Sequence, residues 1–119
     1  MKPIVTVLMT VYNGSNYLNE AIESVLCQTL DNYEFLIVDD ASTDNSIEII
    51  NSYKDSRIKL LKNRENIGQT ASLNEGLAIA QGQYIARFDQ DDVCLPKRLE
   101  DQVAFFKKNP SISILCSRE

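Results

Sequence analysis

Hydrophobic positions along the chain switch between two spacings, and the switching predicts a repeating strand–helix order. Residues 4–11 are a nearly continuous apolar run, as expected of a strand covered on both faces. Asn16 can cap a helix that follows it. Leu18, Ala21, Ile22, Val25 and Leu26 then recur at helical spacing, and that helix should end near Thr29. Residues 33–39 (YEFLIVD) read as a second strand, and residues 42–45 are rich in cap and turn residues. Ile47, Ile50 and Tyr53 mark one face of a short helix, residues 57–62 fit a third strand, and residues 63–68 form a polar loop. Leu73, Leu77 and Ala80 return to helical spacing, with Gly82 suited to the helix stop. Residues 83–88 read as a fourth strand. Pro96 suits the first turn of a helix that Leu99, Val103 and Phe106 continue and Asn109-Pro110 ends. Residues 112–116 read as a fifth strand. Strand–helix–strand units in this order predict an α/β fold, a mostly parallel sheet with helices on both faces.

At 119 residues the chain is one domain with one core. Its net charge of −5 argues against binding a nucleic-acid backbone, which needs clustered Lys and Arg, and leaves a cation site open. Cys27, Cys94 and Cys116 stand far apart with no CxxC pair, which fits free thiols in a reducing compartment. The chain has no histidine, so it holds no Ser-His-Asp triad, Cys-His pair or His-ligated zinc. Any metal must have oxygen ligands, which points to magnesium, manganese or calcium. The first apolar run is too short to span a bilayer and meets the turn signal Tyr12-Asn13-Gly14, so no transmembrane segment is expected.

The acidic residues gather at strand ends. Asp39 and Asp40 close the second strand, and Asp89, Asp91 and Asp92 follow the fourth. In a parallel sheet these ends share one edge, where open α/β sheets bind ligands. Three carboxylates within four residues repel one another, and a divalent metal bridging Asp91 to a diphosphate would relieve that. The plainer alternative is a solvated acidic turn in which Asp92 caps a helix. Capping accounts for Asp44, with Ser42 and Thr43 as other candidates, but not for both Asp39 and Asp40. A carboxylate there could accept hydrogen bonds from a base or a ribose. Tyr12 could stack on a nucleobase, or be an ordinary turn tyrosine. Arg64 could reach a base or phosphate, or lie on the surface, while Asn66 and Gly68 suit a tight backbone path. With neither GxGxxG nor GxxxxGK[ST] present, a nucleotide would have to be gripped by side chains and metal.

Taken in order, these segments resemble family-2 inverting glycosyltransferases. The run VTVLMTVYNGSNYLNEAIESVLCQTLDNYEFLIVDDASTDNS resembles their opening, and NRENIGQTASLNEGLAIAQGQYIARFDQDDVCLPKRLE resembles the segment that ends in their DxD motif. The likeness runs from residue 5 to about residue 99. It implies a Rossmann-like GT-A nucleotide-binding half. By position it implies that Thr10 and Tyr12 frame a uridine base, Asp40 binds the base, Asp39 supports the loop and Arg64 approaches the base. It places Asp89 near the ribose and metal, and makes Asp91 the ligand of a manganese or magnesium ion on the diphosphate. The role of Asp92 is open.

The same resemblance implies transfer of a sugar from a nucleotide-diphosphate donor, a UDP-sugar, to an acceptor hydroxyl with inversion, in polysaccharide biosynthesis. The acceptor would be a saccharide or lipid-linked saccharide, and the location cytoplasmic, at the inner face of the membrane. Members of the family carry the catalytic base and acceptor elements in a later segment, expected beyond residue 119. Residues 1–119 are therefore expected to be an amino-terminal, truncated part that binds donor without turning it over. Two other readings stay open: a non-catalytic domain that binds nucleotide-sugar as a sensor or scaffold, and a phosphoacceptor receiver-like domain. The latter carries its acidic pair after the first strand, where this chain has Thr10, Val11, Tyr12 and Asn13.

Overall fold

Every residue of β1 (Val5–Val11) and of β2 (Tyr33–Asp39) is buried, which only a sheet covered on both faces can provide. The computed structural model describes residues 3–89, 96–108 and 114–115, with backbone alone at 89, 106, 114 and 115. The remaining strands are β3 (Ile58–Lys62), β4 (Tyr84–Asp89) and β5 (Ile114–Leu115). The helices are α1 (Leu18–Leu26), α2 (Ser46–Ser52), α3 (Gln69–Ile79) and α4 (Arg98–Lys108). The strands form one five-stranded sheet in the order β3-β2-β1-β4-β5, and every pairing is parallel.

Alternation along the strands divides the interior. Val5, Val7, Met9, Val11, Phe35, Ile37, Ala86 and Phe88 face the larger core, closed by Leu18, Ala21, Ile22 and Val25 of α1, Ile50 of α2, and Leu99 and Val103 of α4. Leu8, Leu36 and Val38 face the other side and pack with Leu73 of α3. The expected helices on both faces are present, with α3 covering its face on its own among the described residues.

Several local expectations need correction. Asn16 does not cap α1: the N-cap is Tyr17, without a side-chain hydrogen bond, and the first turn is held by the Gly14 carbonyl, which accepts from Tyr17 N and Leu18 N. The helix ends at Leu26, short of Thr29, because the residues beyond it tie down the start of α4. Gln28 Oε1 accepts from Leu99 N at 3.0 Å, and Thr29 N donates to the Pro96 carbonyl at 2.8 Å. On α3 the spacing of Leu73, Leu77 and Ala80 misplaces the buried face, which is Ser72 and Gly76, while Leu77 is 42% exposed. The helix rides so close to the sheet that a Cβ at Gly76 would run into Leu8 Cδ1 and stand 3.2 Å from Val38 Cγ2.

Gly82 is not the helix stop either, since α3 ends at its C-cap Ala80. Instead, Gly82 lies against the backbone of β1: its N–H donates to Thr6 Oγ1 at 2.8 Å, and an added Cβ would sit 2.6 Å from the Val5 carbonyl carbon. Thr6 in turn donates to the buried Glu34 carboxylate, which also accepts from Gln81 N at 2.6 Å and Lys59 Nζ at 2.9 Å. At the other end of β4, Asp89 is the last residue of the strand and does not follow it. Of the fifth strand expected at 112–116, only β5 falls within the described residues.

Candidate functional site

The strand order reverses between β1 and β4, since β2 and β3 lie to one side and β4 and β5 to the other. Crevices at such switch points, at the carboxyl ends of the strands, are where open α/β sheets take ligands. Register fixes what lines this one. Thr10 is paired with Asp89 of β4 on one side and with Val38 of β2 on the other, and Val11 is paired with Asp39. Beyond the strand, Asp40 N donates to the Val11 carbonyl at 2.8 Å. Thr10, Tyr12, Asp40 and Asp89 thus lie at one sheet edge.

The two neighbouring aspartates at the end of β2 do different work. Asp39 is fully buried, and its carboxylate accepts from Ser42 N at 3.0 Å and Ser42 Oγ at 2.6 Å, so it holds up the loop as expected. Asp40 reaches the loop after β3. Its Oδ1 accepts from Ile67 N at 2.8 Å and Asn63 Nδ2 at 3.0 Å, and its Oδ2 accepts from Gly68 N at 2.9 Å. Asn66 Nδ2 adds a bond to the Asp40 carbonyl at 3.3 Å. With the Ser72 side chain as a fourth hydrogen-bonding partner, the roughly four acceptor positions of this carboxylate are taken up within the protein. Gly68 has φ +93°, a conformation L-residues rarely adopt, and it leads into α3 as the N-cap. The exposed Arg64 rides on this loop, and Tyr12, just past the end of β1, is 46% exposed.

Sequence reasoning missed how the rim is fastened. Asn13 lies at φ +51° and Ala41 at φ +61°, and these are the two non-glycine residues with positive φ among the described residues. Asn13 Oδ1 accepts from Thr43 N at 2.8 Å, Thr43 Oγ1 at 3.3 Å and Asp44 N at 3.3 Å. Asn13 N donates to Ser42 Oγ at 3.0 Å, and Gly14 N to Ser46 Oγ at 3.1 Å. Asp44, one residue ahead of the α2 N-cap Asn45, accepts from Ser46 N at 2.9 Å and from Ser15 N at 3.2 Å, so it serves both the helix start and the opposite loop. The Asn13-Gly14 pair signals the turn, but nothing in the sequence signals a partner thirty residues away.

These bonds set the acid response. Burial alone would raise the pKa of Asp40, but the hydrogen bonds from Ile67, Asn63, Gly68 and Ser72 outweigh it and lower it. For Asp44 burial again raises, while bonds from Ser46 and Ser15 bring the value down from 3.8 to about 2. A carboxyl whose folded pKa is depressed stabilises the fold above its unfolded pKa, and that contribution is lost as pH falls through the folded value. Stability should therefore drop as pH is lowered from about 4 towards about 2. Asp40→Asn, which turns an amide donor towards N–H donors, should cost about 1–3 kcal/mol at pH 7. Its deficit should shrink at acid pH, as wild-type Asp40 itself becomes protonated. Urea unfolding at neutral and at acid pH checks this, and an equal deficit at both would contradict it.

A metal at this edge would find oxygen donors only, because the chain has no histidine. Asp89 stands at the switch point by backbone register, and that carboxylate chemistry fits a hard divalent ion. Asp91 and Asp92 lie outside the described residues. Among the described residues no group of three or more His, Cys, Asp or Glu is placed to hold a metal ion.

The chain is 47% identical over 110 residues to the putative glycosyltransferase EpsE of Bacillus subtilis, covering 90% of this chain and 40% of that one. It is 39% identical over 106 residues to WfgD of Escherichia coli, a UDP-Glc:alpha-D-GlcNAc-diphosphoundecaprenol beta-1,3-glucosyltransferase, covering 89% of this chain and 41% of WfgD. The chain thus spans about two-fifths of the length of the curated relatives it matches. Among solved structures, S. aureus TarS in complex with UDP-GlcNAc superposes with a TM-score of 0.83 at 28% identity, covering 91% of this chain and 32% of that one. The mannosyltransferase PcManGT of Pyrobaculum calidifontis, in complex with GDP-Man and Mn2+, gives 0.71 at 26% identity, with 78% of this chain and 29% of that one covered. These structures share the GT-A arrangement of the sheet found here. The sequence model of glycosyl transferase family 2 matches residues 6–119, and the chain belongs to that family.

Proposed function

We propose that residues 1–119 are the donor-nucleotide-binding part of an enzyme that transfers a sugar from a UDP-sugar to an acceptor hydroxyl with inversion. The observation that carries the reading is the gathering of Thr10, Tyr12, Asp40 and Asp89 at the β1/β4 switch point, with the Arg64 loop tied to Asp40. TarS with UDP-GlcNAc and WfgD as a UDP-Glc enzyme support a uridine donor, and the lipid-diphosphate acceptor in the name of WfgD supports a lipid-linked saccharide acceptor.

In this reading Tyr12 offers its exposed ring to the base. Asp40 serves the base site by holding the loop that presents Arg64. Thr10 frames the base with Tyr12, and Asp89 lies near the ribose. Asp91, with Asp89, holds manganese or magnesium, and PcManGT with Mn2+ supports such an ion. The bound ion would neutralise charge on the departing diphosphate, a Lewis-acid role. The base that removes the acceptor proton is assigned to none of these residues. No described helix is long and apolar enough to cross a membrane, and a cytoplasmic site of action at the inner membrane face fits a lipid-linked acceptor.

Calorimetric titration of UDP with manganese tests the proposal. We expect saturable binding that weakens at least about tenfold, about 1.4 kcal/mol, when the ion is chelated. A folded sample that binds neither UDP, GDP nor dTDP with manganese would overturn it.

A further inference from the structure

We propose that the side chain of Asn13 is a positioning residue that fixes Tyr12 for the donor base, an inference that rests on the nucleotide reading of this edge. Asn13 directly follows Tyr12. Its backbone lies in the left-handed region, which Asn enters more readily than most residues and which specific bonds constrain here. The constraint is visible from both sides. Asn13 Oδ1 takes the N–H groups of Thr43 and Asp44, and Asn13 N reaches Ser42 Oγ.

The chain of contacts ends in something rigid. Ser42 donates its hydroxyl to the fully buried Asp39 at 2.6 Å while accepting from Asn13 N, so a carboxylate at the end of β2 orients the residue after Tyr12. Ala41, the other non-glycine residue with positive φ, lies in the partner loop between Asp40 and Ser42. The two positive-φ positions therefore lie on the two loops that one clasp joins, each adjacent in sequence to a residue, Tyr12 or Asp40, that the donor reading uses. Gly14 to Ser46 and Ser15 to Asp44 extend the same clasp into the start of α2. A surface turn built for connection alone would not hold two non-glycine residues in the left-handed region with this many long-range bonds.

Asn13→Gly separates the two parts of the idea, because glycine keeps the backbone conformation and removes only the carboxamide. Four titrations of UDP with manganese form a double-mutant cycle: wild type, Tyr12→Ala, Asn13→Gly and the double variant. Loss of a stacked base is worth about tenfold or more, so Tyr12→Ala should weaken binding to that extent. If Asn13 acts through Tyr12, Asn13→Gly alone should weaken binding by about threefold to tenfold, and the double variant should bind about as Tyr12→Ala does. Hydrogen exchange of ligand-free Asn13→Gly should show the Thr43 and Asp44 amides exchanging at least about tenfold faster, with the β1 and β2 amides unchanged. The inference is overturned if the two losses multiply, if Asn13→Gly binds like wild type, or if the sheet amides loosen equally. Unimpaired binding by Tyr12→Ala would remove the stacking role itself and Asn13's role with it, and no nucleotide binding by wild type would remove the donor reading. The failures are thus distinguishable.

Discussion

Replacing Gly82 with alanine should lower the thermal midpoint by about 10–20 °C, the counterpart of about 3–4 kcal/mol in a domain of this size. The cause is the position of the added methyl. It would collide with Thr6 N and stand 2.6 Å from the Val5 carbonyl carbon, both of them backbone atoms of the central strand. Backbone cannot step aside as a side chain can, so β1 must shift or the 80–83 connection must lift away. Either movement breaks the bond from Gly82 N to Thr6 Oγ1 and disturbs the bond from Gln81 N to the buried Glu34. Gly76→Ala provides the comparison. Its methyl would meet Leu8 Cδ1, the far end of a flexible side chain, and alanine is worth about 1 kcal/mol more than glycine inside a helix. Its net cost should be about 0–2 kcal/mol. Melting curves of the two variants decide the matter, and a Gly82→Ala midpoint within about 3 °C of wild type would contradict the close approach.

The second large effect should come from Asp91→Asn, which we expect to weaken manganese-dependent UDP binding by about 100-fold, or about 2.7 kcal/mol. Hard divalent ions at diphosphates are held by one or two carboxylates, and an amide oxygen carries no formal charge to replace one. The variant titrated with manganese should match wild type titrated with chelator, and chelator should do nothing further to it. Removing one of several crowded negative charges should leave the ligand-free fold no less stable at low salt. Retention of metal-dependent affinity by Asp91→Asn would move the ion to other ligands.

Much of the fold is legible in the sequence because β1 and β2 are buried on both faces, so their runs are largely apolar, and because α1 shows its buried positions at helical spacing. The helix α3 was harder to read for a physical reason. Its inner face is small, with Ser72 and Gly76 pressed on Leu8 and Val38, so its larger apolar residues sit at the margin and point pattern reading the wrong way. Gly82 was misassigned because a helix-stop glycine and a close-approach glycine look identical in one dimension. At the site, the acidic pair at 39–40 marked the right edge, but the division of labour between its members depends on Ser42, Asn63, Ile67 and Gly68. The side chain of Asp89, and the whole of Asp91, lie outside the described residues, so their placement rests on register and on sequence alone.

The central position of β1 also governs how the protein can be made. The strand leaves the ribosome first, yet its partner on one side is β4, whose register residues begin at Tyr84. A nascent chain that has emerged as far as Lys62 can assemble β3, β2 and β1, but the open border of that half-sheet is then β1, apolar but for Thr6 and Thr10. An unpaired border of this kind invites pairing with other chains. Translation from residue 63 to residue 89 is therefore the vulnerable interval, set by the winding order of the sheet and not by its composition. A pause in synthesis or a premature stop in that interval would release a sticky intermediate in place of a folded domain.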